Sequence, residues 1–134
     1  MPVADTELLF ALNPRDRKHR HALKALNMKG LRIPDTALLE FQAVLRSRGR
    51  TSREVLEAIT AIKQILEGKR VREIQTISTD LIIKQAELEE KYNLSFFDSL
   101  IAASALLLDS IIVSDDKDFD KIPNLKRIPI TTQS

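Results

Sequence analysis

Five short β-compatible runs, Pro2 to Ala4, Leu31 to Ile33, Glu73 to Ile77, Ser110 to Ser114 and Lys126 to Ile130, alternate with helix-patterned stretches, and this alternation narrows the possible folds more than any other feature of the chain. The helical patterns cover about residues 16 to 28, 35 to 48, 52 to 67, 79 to 92 and 97 to 108, with apolar side chains recurring at three- and four-residue spacing. The order is mostly strand then helix, with two helices in succession between the second and third strands. Such an order implies an α/β fold in three layers, with a mainly parallel central sheet covered by helices on both faces. In sheets of this kind the functional crevice lies beyond the carboxyl ends of the strands. The residues that directly follow each strand are therefore where chemistry is expected.

Local punctuation supports the same division. Thr51 followed by Glu54 reads as a capping box, and Pro34 with Asp35 suits a strand-to-helix turn. Gly30, Gly49 and Gly68 each follow a helix-compatible run, where a left-handed terminal residue is most easily supplied by glycine. No phosphate-binding glycine loop, internal repeat or low-complexity linker is present. A chain of 134 residues is long enough for one core, so residues 1–134 are read as one domain.

Composition mainly excludes. The chain has no cysteine, which rules out disulfides, thiolate metal sites and cysteine nucleophiles, so any metal must be held by oxygen or histidine. The longest apolar-rich segment, residues 99–113, is interrupted by Asp109 and Ser110, whereas a membrane span needs roughly 20 apolar residues. A soluble, cytoplasmic protein without a membrane partner is expected. The 21 basic and 19 acidic residues nearly cancel, so the net charge of +2 does not itself point to nucleic acid.

The acidic residues carry the functional signal. Asp5 directly follows the first strand in VADTELLFAL, where it is either a turn or N-cap aspartate or a crevice residue. Glu40, in LLEFQAVL, borders the apolar stripe formed by Ala37, Phe41 and Val44. Asp98 opens the most apolar helix, FFDSLIAASALLL, and its spacing from Ser95 also suits a capping pair. Asp115 and Asp116 end the fourth strand in SDDKDFD, which a polar turn would explain equally well. The joint pattern says more than any member. Carboxylates gathered in one crevice raise one another's pKa unless a hard cation such as Mg²⁺ or Mn²⁺ offsets their charge. Oxygen-only ligation disfavours zinc, and His19 and His21 lie on a basic stretch that reads as a solvated helix.

These segments resemble the motifs of the PIN-domain family. VADTELLFAL is similar to its opening motif, with Asp5 as the first acid and Thr6 as the accompanying hydroxyl. LLEFQAVL is similar to the second, FFDSLIAASALL to the third with Asp98, and IIVSDDKDF to the last with Ser114 and Asp116. The resemblance spans nearly the whole chain in order, and the length suits VapC-like toxins. Two departures stand out: Glu7 occupies a place where the family often has asparagine, and Asp109 with Ser110 stand where a glycine usually precedes the fourth strand. The resemblance implies a PIN-like fold and metal-dependent endonucleolytic cleavage of single-stranded RNA, leaving a 5′-phosphate. It assigns Asp5, Glu40, Asp98 and Asp116 as catalytic. Asp5, Asp98 and Asp116 would hold one or two Mg²⁺ or Mn²⁺ ions, and Glu40 would bind metal or orient water. Thr6, Ser114 and Asp118 would support them, Asp118 through water. It further implies a homodimer and a small antitoxin partner that covers or enters the acidic crevice.

Basic residues cluster at Arg15, Arg17, Lys18 and Arg20, at Arg46, Arg48, Arg50 and Arg53, and at Lys69, Arg70 and Arg72, which either track phosphates or form solvated helix faces. Aromatics at 4% leave little for base stacking. Two other functions compete with the nuclease. An aspartyl phosphotransfer domain also places an acid after an early parallel strand, but Glu7 stands where the phosphatase motif needs an aspartate, and the fourth strand ends in SDD with no lysine-bearing turn. A non-catalytic PIN-fold module that binds RNA or protein is the other, and retention of all four acids weighs against it.

Overall fold

Val3 and Ala4, both fully buried, form the central strand of a five-stranded sheet in the computed structural model, which describes residues 1–131. The strands are β1 (Val3–Ala4), β2 (Arg32–Pro34), β3 (Arg72–Ile74), β4 (Ile111–Val113) and β5 (Lys126–Ile128). Their order is β3-β2-β1-β4-β5 and every pairing is parallel. The chain starts in the middle, moves outward through β2 and β3, and returns to add β4 on the other side of β1. The direction of winding thus reverses between β1 and β4, the position at which open parallel sheets leave a crevice beyond their carboxyl ends.

Each of the first three crossovers is a helix pair. They are α1 (Thr6–Ala11) and α2 (His19–Ala25), α3 (Asp35–Ser47) and α4 (Ser52–Gly68), and α5 (Thr79–Tyr92) and α6 (Phe96–Leu106). A short 3₁₀ turn, Lys117–Lys121, leads from β4 towards β5. The helical patterns of the sequence give two helices each to the second and third crossovers but one to the first, where α1 is not anticipated at all. Thr6, Leu8, Leu9 and Ala11 are buried and Glu7 and Phe10 half-buried, so this six-residue helix has no fully exposed face and is too short to show a helical period.

Side chains that capture backbone N–H groups set where strands stop. The third strand ends at Ile74 rather than Ile77, because the Thr76 and Ile77 N–H groups donate to Asp35 Oδ2 at 2.9 and 3.0 Å. The fifth ends at Ile128 rather than Ile130, and the Ile130 and Thr131 N–H groups donate to Asp115 Oδ1 at 2.8 and 3.2 Å. The edge strands carry Arg72, Glu73, Lys126 and Arg127, charges that discourage further strand addition.

The capping box at α4 forms in both directions, with Glu54 N donating to Thr51 Oγ1 and Thr51 N to Glu54 Oε1. Gly30 and Gly49 are left-handed as expected, at φ +76° and +81°. Gly68 instead closes α4, and Arg70 two residues on takes the left-handed conformation at φ 58°. Ser110, standing where the resembled motif has glycine, also adopts positive φ, 57°.

The helix α6 runs through the core, with every residue from Ser99 to Ala105 buried. Two buried serines link it to its neighbours: Ser99 Oγ accepts from Gln85 Nε2 of α5 at 3.2 Å, and the Ser104 hydroxyl lies 2.8 Å from both Thr36 Oγ1 and Thr76 Oγ1. Thr76 Oγ1 also donates to Asp35 Oδ1 at 2.7 Å. This network ties α6 to the start of α3 and the end of β3. Among the described residues no helix is long and apolar enough to cross a membrane.

Candidate active site

At the carboxyl end of β1 the backbone turns directly into α1, and Asp5 is the N-cap of that helix. Its Oδ1 accepts from Thr6 N at 2.7 Å, and its Oδ2 accepts from Ser114 Oγ at 2.7 Å. Ser114 follows β4, so the parallel pairing of β1 with β4 delivers this contact. Asp5 is 6% exposed, and burial pushes its carboxyl up to about 7 against the pull of the Ser114 and Thr6 donors, with Glu7 and Asp98 adding repulsion. Thr6 turns its hydroxyl the other way, donating to Glu40 Oε1 on α3.

Asp98 occupies the first turn of α6, and Asp116 caps the 3₁₀ turn after β4. Asp98 N donates to Ser95 Oγ at 3.3 Å and Asp118 N donates to Asp116 Oδ1 at 2.9 Å. Capping and site residue are thus the same group at Asp5 and Asp116, while Asp98 sits in the first turn of α6 behind its N-cap Ser95; in each case a helix or turn start holds the carboxylate. One oxygen each from Asp98, Asp116 and Asp118 lies within 4.8 Å of the others. Partial burial lifts the Asp98 carboxyl to about 6, and repulsion from Asp116, Glu40 and Asp118 adds to it.

The expected acids therefore converge. Asp5, Thr6, Glu40, Asp98 and Asp116 all line one cleft of about 250 Å³, together with Glu7 and Arg48. Asp118 stands beside Asp98 and Asp116 with a directly facing oxygen, whereas the expectation gave it only a water-mediated part. Asp5 is outside that close trio, and its two oxygens accept from Thr6 N and Ser114 Oγ. The donor set suits a hard, oxygen-seeking cation: its carboxylates are all oxygen ligands, and Mg²⁺ or Ca²⁺ ligands sit at roughly 2.0–2.6 Å. Burial is the main cause of the raised Asp5 and Asp98 carboxyls, with repulsion from neighbouring acids adding to it, and a cation bound among them would oppose both effects.

Asp115 faces elsewhere. Its Oδ2 meets Lys18 Nζ at 2.9 Å while its Oδ1 holds the backbone at residues 130 and 131. Burial raises its pKa, but Lys18 and these N–H donors outweigh that and leave it below the ordinary aspartate value. Glu7 lies between the two groups: its Oε1 accepts from Ser114 Oγ at 3.1 Å and from Asp115 N, and its Oε2 meets Lys18 Nζ at 3.5 Å. Lys18 is thus an internal counter-charge for two acids at the rim. A basic run gives no sign of this, since both partners are remote in sequence. His19, expected to be solvated, is half-buried with Nδ1 3.0 Å from the Ala11 carbonyl, and the close carboxylate trio includes no histidine.

Comparison with known proteins places this geometry in a wider set. A family model described as PIN domain matches residues 3–125. Similar solved structures include a toxin-antitoxin complex from Klebsiella pneumoniae, at 21% identity and TM-score 0.66, covering 93% of this chain and 95% of that one. VapBC2 from Rickettsia felis, bound to a DNA fragment from its promoter, is similar at 20% identity and TM-score 0.69, covering 95% and 96%. Mycobacterium tuberculosis VapC20, a Sarcin-Ricin loop cleaving toxin, is similar at 22% identity and TM-score 0.68, covering 90% and 93%. At these identities the likeness is one of fold. No curated protein matches the sequence significantly.

Proposed function

The chain belongs to the PIN domain family, and from that premise we propose that it is a divalent-metal-dependent endoribonuclease acting on single-stranded RNA, the toxin of a toxin-antitoxin pair. The observation that carries the reading is the convergence of acids from four separate segments, Asp5, Glu40, Asp98 and Asp116, on one cleft at the carboxyl ends of β1 and β4. The toxins among the similar structures support the biological role, and the VapBC complexes support an antitoxin partner. The homodimer rests on the family resemblance, as does a cytoplasmic setting.

In this reading Asp98, Asp116 and Asp118 hold Mg²⁺ or Mn²⁺, and Asp5 joins them as a carboxylate once its proton leaves. A cation bound there supplies positive charge against the phosphate oxygens and acidifies water at neutral pH. Glu40 is fixed at one oxygen by the Thr6 hydroxyl, and its other oxygen takes no hydrogen bond among the described residues. That free oxygen orients the attacking water. Ser114 keeps Asp5 aimed at the cleft while its own Oγ accepts from Asp116 N at 2.9 Å, so one hydroxyl spaces two of the acids.

The test is cleavage of a labelled single-stranded RNA with Mg²⁺ or Mn²⁺, comparing intact protein, protein with EDTA, and Asp5→Asn. Cleavage lost in both controls is the expected result. No cleavage by the intact protein across several RNAs and both metals would overturn the enzymatic assignment and leave a binding module.

A further inference from the structure

Next to the acidic cleft, and sharing Glu7, Phe10 and Arg48 with it, lies a larger open cleft of about 520 Å³. Its lining brings four cationic side chains, Arg15, Arg17, Lys18 and Arg48, against two anionic ones, Glu7 and Asp16. Both acids are already engaged. Glu7 pairs with Lys18, and Asp16 Oδ1 accepts from Lys18 N at 2.8 Å. The three arginines are exposed, and none makes an ion pair among the described residues. Elsewhere Arg50 meets Glu54, Arg53 meets Glu57 and Arg127 meets Asp120, while Arg20, Arg32, Arg46, Arg70 and Arg72 also form no ion pair among the described residues; Arg15, Arg17 and Arg48 differ from these in lining one cleft. Unpaired guanidiniums are thus gathered beside the acids. Arg48 also lies with its guanidinium 5.0 Å from the centre of the Phe10 ring, which holds its planar fork between the two clefts.

Resting on the nuclease reading, we infer that this second cleft binds the RNA backbone next to the cleaved bond. Arg48 receives the first flanking phosphate, and Arg15 with Arg17 the ones beyond it. The physical need is plain: a phosphodiester approaching five clustered acids is repelled, and fixed guanidiniums alongside offset that repulsion while fixing the direction of the strand. Guanidinium forks suit phosphate oxygens, and the cleft's openness to solvent suits a polymer that continues past the site. The scarcity of aromatic residues leaves charge, not stacking, as the main source of affinity.

The experiment is fluorescence anisotropy of a labelled single-stranded RNA in EDTA, where cleavage is blocked, titrated at several salt concentrations. The proteins are wild type, the combined Arg15→Gln, Arg17→Gln, Arg48→Gln variant, and Arg53→Gln as a control on a face where the arginine is paired. Thermal denaturation checks that each is folded. The combined variant is expected to bind roughly tenfold or more weakly, and its log-log salt slope to be shallower by about 0.7 for each phosphate it no longer neutralises. Arg53→Gln is expected to match wild type. The inference is overturned if wild type does not bind RNA, if the combined variant binds equally well, or if Arg53→Gln weakens binding as much. It is also overturned if polyglutamate competes better than RNA, which would mark the cleft as a site for an acidic protein segment. Cleavage of the same RNA with Mn²⁺ separates the two readings. Arginine-dependent binding without cleavage keeps this cleft and removes the nuclease. Full cleavage by the combined variant keeps the nuclease and removes the cleft.

Discussion

Ser114 donates its hydroxyl to Asp5 Oδ2 at 2.7 Å, although the two residues are 109 positions apart in sequence. The bond is one of two that hold the buried carboxyl, and it is the stronger of the two influences that keep the Asp5 pKa from rising further. Ser114→Ala should move the Asp5 carboxyl above about 7 and shift the acid limb of the cleavage pH profile to higher pH. Loss of one hydrogen bond to a charged group costs about 1.5–3 kcal/mol, so cleavage at neutral pH should fall roughly tenfold or more. An unmoved acid limb in Ser114→Ala would show that Asp5 does not govern the profile.

Asp5 and Asp98 have carboxyls raised to about 7 and about 6. The sign of the stability effect follows from linkage: the folded state holds protons more tightly than the unfolded chain, so stability is fully present below the ordinary aspartate range and is lost as pH rises through 6 to 7. In EDTA the melting temperature should therefore climb on acidification from pH 8 to about 5.5, before global acid effects begin. Saturating Mn²⁺ should flatten the trend by stabilising the carboxylates. A metal-free melting curve independent of pH over this window would contradict the burial argument.

Asp115 and Asp118 are three residues apart with opposite predicted phenotypes. Asp118→Asn removes an oxygen from the close trio and should weaken Mn²⁺ binding, measured calorimetrically, about tenfold or more while leaving the melting temperature nearly unchanged. Asp115→Asn should do the reverse, since it loses the Lys18 pair and weakens the anchor of residues 130 and 131. Equal losses of metal affinity in both would mean that Asp115 reaches the cleft.

Ser104 is fully buried between Thr36 and Thr76. Ser104→Ala strands the Thr36 hydroxyl, a change that costs about 1–3 kcal/mol in a buried site. Chemical denaturation should show that loss. A value within about 0.5 kcal/mol of wild type would place the network outside the determinants of stability.

Ser110 holds φ 57° immediately before β4. Left-handed backbone costs a non-glycine residue roughly 1–2 kcal/mol, and glycine's greater freedom in the unfolded chain returns part of that. Ser110→Gly should stabilise the protein by up to about 1 kcal/mol, read from the denaturant midpoint. A lower midpoint would show that the serine side chain contributes more than the strain removes.

The five strands and the four principal acids are legible in the sequence because each strand is a short β-compatible run, and Asp5, Asp98 and Asp116 sit at strand ends or helix starts that sequence pattern marks well. Strand ends are less legible. Glu73 to Ile77 reads as one β run, yet Asp35 captures the N–H groups of Thr76 and Ile77 from a distance no local pattern encodes. The helix α1 escapes because its six residues, mostly buried, are too few to show an amphipathic period. Lys18 and Glu7 are ordinary charges in a line of text; their links to Asp115 and Ser114 exist only once β1 and β4 lie side by side. The direct place of Asp118 in the trio is equally hidden, since a run of acids does not reveal which side chains turn the same way.

The central pairing also sets when the acidic cleft can assemble during synthesis. β1 is made first but aligns with β4 only through Val3 with Ile112 and Ala4 with Val113. Until translation has passed those later residues, Asp5 has neither its Ser114 donor nor Asp116 to share its cleft. A contact of such long sequence span closes late, after the intervening helices have formed. A growing chain that has not yet passed Asp118 thus carries no assembled acidic centre.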